Sequence, residues 1–324
     1  MVYNVGITGT GSLIGQGIIK SIQDDSISEK CHLVGFDYFE NTVGSFWCHK
    51  NYILPDILKS EVTEDQWLGE LLETIKQERI QILFIGVDFE LPILAKHRES
   101  IREKYGCEVI VSSPDVIRIG NDKFNTYEFL KEHNLYYPKT SIAKETISDE
   151  IEYPVIMKPR VGARSVGVYK IKNQNDFKDK IGKVNGAIIQ ELIGDDYTEY
   201  TCGILCIEGE IKGSIILNRS LKGGNTFTSE YRKDYPEIII EYIEEIAKNL
   251  KPHGSCNLQL RLGTDGIPKL FEINPRHSGT TYMRTLFGYK EVVFLLKYYL
   301  EKTEISFDLK PGKALRFYQE KLIK

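Results

Sequence analysis

Pro268-Lys269-Leu270-Phe271-Glu272-Ile273-Asn274-Pro275-Arg276-His277-Ser278-Gly279-Thr280-Thr281 is the stretch on which the reading of this chain turns. Residues 268–273 read as a strand, and in a strand positions i and i+2 share a face. Glu272 and Asn274 therefore point together. The run 255–262 also reads as a strand, and Gly263-Thr264-Asp265-Gly266 between the two is a hairpin signal. That hairpin would set Gln259 opposite the Glu272/Asn274 face. Carboxylate and amide oxygens with open positions suit Mg²⁺, which takes few protein ligands and completes its shell with phosphates and water. Arg276, just beyond, can hold an anionic oxygen through two parallel N–H groups. A polar sheet face open to solvent is the plainer explanation. It accounts poorly for Glu, Asn and Arg clustered where an apolar strand ends.

Upstream, Tyr153-Pro154-Val155-Ile156-Met157-Lys158-Pro159-Arg160 is an apolar strand closed by a lysine. Such a lysine costs desolvation unless an anion meets it. Gly162-Ala163-Arg164-Ser165-Val166-Gly167 follows, and its small residues leave backbone N–H groups free to approach phosphate oxygens. A surface hairpin with snorkelling cations would look the same. Lys123 opens a helix after Asn121-Asp122. Gln190-Glu191-Leu192-Ile193-Gly194-Asp195-Asp196 leaves a strand at 187–190. Its backbone could meet an adenine edge, with Asp196 accepting from ribose hydroxyls, or it could be an acidic turn.

The first third alternates strands (2–8, 32–37, 82–85, 109–111) with helices (13–22, 66–76, 91–98), which argues for a parallel sheet covered on both faces. Gly9-Thr10-Gly11-Ser12-Leu13-Ile14-Gly15 enters the first helix, and Asp37 ends the next strand. This imitates a dinucleotide fingerprint, but the spacing is G-x-G-x-x-x-G, one residue too long. A sharp strand-to-helix turn needs the same glycines. The last third carries longer strands (200–207, 211–217), a hairpin at Glu208-Gly209-Glu210, and helices over 237–250 and 291–301.

Composition is that of an ordinary globular chain: of 324 residues, 41% are hydrophobic and 27% charged, which excludes a disordered segment of this length. The net charge of −4 gives no basic field for nucleic acid or anionic membrane, so neither is expected as a partner. No apolar run approaches the roughly 18 residues of a membrane helix. Six cysteines include no C-x-x-C pair, and Cys31, Cys107, Cys202 and Cys206 lie in or beside strand-like runs. Buried, reduced thiols in a cytoplasmic protein are the expectation.

In this order the pieces resemble the ATP-grasp superfamily, and within it the carbamoyl-phosphate-synthase-like branch. The resemblance rests on Asn121-Asp122-Lys123, Lys158-Pro159-Arg160-x-Gly162-x-x-Ser165-x-Gly167-Val168, Gln190-Glu191-Leu192-Ile193-Gly194, and Glu272-Ile273-Asn274-Pro275-Arg276 with Ser278-Gly279-Thr280-Thr281. It runs from about residue 121 to 288, and the N-terminal third resembles the pre-ATP-grasp domain. It implies an α/β and α+β chain, a parallel Rossmann-like sheet followed by a two-lobed ATP-grasp fold, divided as 1–113, 114–188 and 189–324. ATP would meet Lys123, Lys158, a lid over 160–167 containing Gly162, Ser165 and Gly167, adenine contacts at Gln190, Glu191, Leu192 and Ile193, and Asp196 on the ribose. Asp196 stands where Glu is usual. Mg²⁺, with Mn²⁺ as a substitute, would sit on Gln259, Glu272 and Asn274, Gln259 replacing a more usual Glu. Arg276 and Lys158 would be catalytic, and Arg219, Thr280, Thr281 and Arg284 would face the substrate.

The implied activity is an ATP- and Mg²⁺-dependent ligase. It would activate a small-molecule carboxylate as an acylphosphate for attack by an amine or other nucleophile. A single copy of the unit, with no ammonia-producing domain, argues against complete carbamoyl-phosphate synthesis. A homodimer is a candidate assembly. Two other classes stay open on sequence: an NAD(P)-dependent oxidoreductase using the N-terminal glycine turn, and a non-catalytic ATP-binding protein.

Overall fold

The first helix shows how the local sequence builds this chain. Ser12 caps it, its Oγ accepting from Gly15 N at 2.9 Å, and Ile14, Ile18, Ile19 and Ile22 recur at helical spacing and are buried. The structure is a computed structural model, and it describes residues 2–144, 151–162 and 165–323. In the N-terminal third, β1 (Tyr3–Ile7), α1 (Leu13–Gln23), β2 (Cys31–Asp37), β3 (Lys50–Ile53), α2 (Glu64–Glu78), β4 (Ile82–Phe84), α3 (Leu91–Tyr105) and β5 (Glu108–Ile110) follow in order. The five strands are parallel, in the order β3-β2-β1-β4-β5. The strand order reverses between β1 and β4, where open α/β sheets leave a crevice.

At that crevice the glycine turn is filled by its own chain. Asp37 Oδ2 accepts from Gly11 N at 2.6 Å, from Thr10 Oγ1 at 2.8 Å and from Thr42 Oγ1 at 3.1 Å. Residues 42–45 lie against the turn so closely that a Cβ on Gly44 would come within 1.8 Å of Thr10 O. The carboxylate that a dinucleotide reading gives to a ribose is spent on holding the turn.

Helices α4 (Pro114–Asn121) and α5 (Lys123–Glu132) lead out of this sheet. A four-stranded antiparallel sheet follows, from β6 (Thr140–Ile142), β7 (Val155–Pro159), β8 (Tyr169–Ile171) and β9 (Ala187–Glu191), with α6 (Gln174–Lys180) between β8 and β9. Its order is β6-β9-β7-β8. The division expected at 188/189 therefore falls inside β9, whose partners β6 and β7 both belong to this smaller sheet. The last strand of the smaller sheet ends at Glu191.

The large sheet is antiparallel, in the order β14-β13-β10-β11-β12-β15. Its strands are β10 (Glu199–Ile207), β11 (Glu210–Lys222), β12 (Asn225–Tyr231), β13 (Gly254–Leu262), β14 (Pro268–Asn274) and β15 (Gly312–Leu315). Helix α7 (Glu237–Leu250) buries Ile239, Tyr242, Ile243, Ile246 and Leu250 against it. Two short helices, α8 (Thr281–Leu286) and α9 (Glu291–Leu296), carry the chain back under the N-terminal sheet. There Ile14, Ile18 and Ile22 share one core with Met283, Phe287, Val292 and Phe294. Ser21 Oγ and Thr285 Oγ1 meet at 2.8 Å inside it. All six cysteines are free; five are buried and Cys48 is partly so. Among the described residues, no helix is long and apolar enough to cross a membrane.

Candidate functional site

Two cavities meet over the Gln259–Glu272 pair. The first, about 200 Å³, lies between the small and large sheets. The second, about 390 Å³, lies between the large sheet and the crevice end of the N-terminal sheet. Ser165, Arg219, Leu221, Gln259 and Glu272 line both.

Strand β7 delivers Lys158 into the first cavity. Its side chain is buried, and Nζ donates to Gln190 Oε1 at 2.8 Å and to Phe271 O at 3.3 Å. Burial pushes its ammonium down to about 7, and Glu272 opposes that shift. Gln190 is fixed in turn by donating from Nε2 to Thr140 Oγ1 at 2.9 Å, so its side chain orients the lysine from below. Asp122 caps α5 and pairs with Arg160 at 2.7 Å, which places Lys123 at the cavity wall with Nζ on Gly162 O at 2.9 Å. Gly162 and Ser165 line the cavity, whereas Gly167 turns at a φ of 73° beside Pro159 and lines neither cavity. Ala163 and Arg164 of the expected lid lie outside the described residues.

Glu191, Leu192 and Ile193 line the same cavity, with Ile156, Val168 and Phe271 as apolar wall. The Glu191 carboxylate is engaged by Lys269 at 3.1 Å. Asp196, expected on the ribose, lies apart from these residues. It does not line this cavity, and its exposed carboxylate accepts from Arg261 Nη2 at 2.8 Å. Glu199, where β10 begins, faces the cavity instead, held by Arg219 at 2.6 Å and Arg261 at 2.8 Å. Burial alone would raise its pKa, but the two guanidiniums hold it below the usual carboxylate range. The signal was present in the sequence: a glutamate opens an unbroken buried strand, where a charge has to be paired or to face a cleft.

The expected face on β13 and β14 forms. Gln259 lies directly across from Glu272, and Asn257 from Asn274. Gln259 Oε1 accepts from Arg219 Nη2 at 2.7 Å, and Asn274 Oδ1 from Arg276 Nη2 at 3.0 Å. Among the described residues no cluster of three or more His, Cys, Asp or Glu is placed to hold a metal. The donor set here is one carboxylate and two amide oxygens. That set fits a hard cation completing its shell on phosphate and water, and does not fit zinc. Arg276 reaches into the N-terminal domain, its Nε donating to Asp88 at 2.5 Å.

The substrate-facing residues divide. Arg219, Thr280 and Gly224-Asn225-Thr226 line the second cavity. Arg284 and Thr281 do not. Arg284 is fully buried, pairs with Glu291 at 3.3 Å and donates to Asn257 Oδ1. Thr281 donates to Glu291 at 3.0 Å and accepts from Ser278 N at 3.0 Å. Both hold up the floor from beneath, because α8 turns its polar face inward onto Glu291. Besides Asp88, Phe89 and Thr201, the cavity residues that the sequence did not single out include Arg316, just past β15. No motif surrounds it, and its place follows from β15 adding to the far edge of the sheet.

Known proteins resemble this chain in sequence and in fold. Residues 120–280 match the family described as the ATP-grasp domain. A carbamoyl-phosphate synthase of Methanobrevibacter smithii is 24% identical over 62% of this chain, and a D-aspartate ligase of Enterococcus faecium is 25% identical over 73%. The chain matches 58% and 63% of the length of those two relatives. The crystal structure of N5-carboxyaminoimidazole synthetase from Staphylococcus aureus complexed with ADP superposes with a TM-score of 0.75 over 98% of this chain and 83% of that one, at 16% identity.

Proposed function

The chain belongs to the ATP-grasp superfamily, with a pre-ATP-grasp N-terminal domain, and we propose that it is an ATP- and Mg²⁺-dependent ligase joining a small-molecule carboxylate to an amine or other nucleophile. The observation that carries this is the meeting of the two cavities over Glu272 and Gln259. ATP lying in the first would present its γ-phosphate to a carboxylate lying in the second. Lys123 and Lys158 neutralise the nucleotide phosphates, Leu192 and Ile193 flank the adenine, and Glu199 takes the ribose role first given to Asp196. Glu272, Gln259 and Asn274 would hold Mg²⁺, whose chemistry there is neutralisation of phosphate charge. Arg276, positioned by Asp88, serves the γ-phosphate.

A carboxylate oxygen then attacks phosphorus in line, giving an acylphosphate and ADP. The nucleophile attacks the acyl carbon, inorganic phosphate leaves, and the nucleophile's proton passes to solvent. The identities of 24% to a carbamoyl-phosphate synthase and 25% to a D-aspartate ligase support the reaction class and leave the substrate pair open.

The test is ADP release measured with Mg-ATP and a panel of carboxylates and amines. Release should require an added carboxylate. Glu272→Ala should lower it at least about a hundredfold while leaving the fold intact, because phosphate charge loses its countercharge. Carboxylate-independent release, or full activity in Glu272→Ala, would contradict the assignment.

A further inference from the structure

Arg316 has no part in the reaction just described, yet it lines the second cavity beside Ser12, Gly279 and Thr280. Its backbone is still held to β12, with N donating to Phe227 O at 2.8 Å. The side chain is therefore aimed by the sheet. Nη2 donates to Gly279 O. Nη1 is shut off from solvent and has no acceptor among the described residues.

The charges around the cavity make this arginine unusual. Arg219 has Glu199 and Arg276 has Asp88. The carboxylates lining the cavity are Asp88 and Glu272, the first taken by Arg276 and the second facing Gln259 across the strand pair. Arg316 makes no ion pair among the described residues. Its charge is felt by a second cation: Lys20, stacked between Trp47 and Tyr282, has its pKa lowered by burial and then by Arg316. A half-buried guanidinium without a countercharge is costly, and a planar fork is suited to a carboxylate or phosphate. A single bond to a carbonyl would pin the C-terminal strand equally well with a neutral side chain.

We propose that the second cavity takes a substrate with a second anionic group, carboxylate or phosphate, and that Arg316 binds that group. The placement of the first, reacting carboxylate rests on the ligase reading above; the anion site on Arg316 does not.

The test is calorimetry on the full chain saturated with Mg²⁺ and a non-hydrolysable ATP analogue. Succinate, 3-phosphonopropionate and propionate are the probes. At least one of the two probes with a second anion should bind ten times or more tightly than propionate, and which one does distinguishes carboxylate from phosphate recognition. Arg316→Ala and Arg316→Gln should both lose that preference, and the analogue should bind them as it binds the parent chain. The glutamine variant can still donate to Gly279 O, so its thermal midpoint checks that the strand stays docked. A preference surviving in Arg316→Gln would overturn the proposal. So would equal binding of propionate, or no probe binding at all. If the ATP analogue itself fails to bind, the ligase reading falls, and the same titrations without nucleotide still judge Arg316.

Discussion

Lys158 concentrates the electrostatics of the first cavity in one group. Its ammonium is buried at a strand end, and burial pushes it down to about 7. Between that value and the roughly 10.4 of a free lysine, the unfolded chain binds the proton and the native chain does not. The contribution of Lys158 to stability therefore rises with pH across that window. An anion beside it reverses the balance, since opposite charge favours the protonated form. Mg-ATP binding at pH 8 should consequently take up a proton, approaching one per site. Calorimetry in two buffers of different ionisation enthalpy reads this directly. The uptake should vanish in Lys158→Met; an unchanged uptake in that variant would remove Lys158 from the phosphate contacts.

At the scale of elements, the β13–β14 hairpin and the α8–α9 pair beneath it form one unit. Arg284 and Glu291 lock them together through Asn257, Thr281 and Ser255. Arg284→Ala leaves Glu291 buried without its partner, and removing one member of such a pair costs about 3–5 kcal/mol. Urea unfolding should show that loss, and Arg284→Met/Glu291→Met should recover most of it. A mild single variant would mean that Glu291 finds another countercharge.

How much of this was legible in the sequence depends on the kind of signal. Strand and helix alternation, the Gln259–Glu272 opposition and the helix at 237–250 follow from periodicity and hairpin chemistry, which are local. Short strands such as β3, β6 and β15 are set by tertiary pairing and leave little local trace. Arg284 looked like a substrate ligand because it follows a functional turn. One helical turn separates facing the cavity from facing the core, and spacing alone does not choose between them. Asp196 and Glu199 differ by three residues, and only the start of β10 decides which faces the cleft.

The whole molecule places a parallel sheet against a large antiparallel one through a shared core, with the small sheet closing over the other side. Two cavities result, and they communicate across Glu272. Neither domain builds the second cavity alone: Ser12, Asp88 and Phe89 come from the N-terminal sheet, and Thr201, Asn257 and Thr280 from the large one. In the proposed reaction a phosphoryl group crosses from the first cavity to a carboxylate in the second. Turnover with a carboxylate labelled with ¹⁸O in both oxygens tests it most directly. An acylphosphate route transfers one labelled oxygen to each inorganic phosphate released. Phosphate that carries no label, while the acyl product keeps a single labelled oxygen and the other is lost to water, would rule that route out.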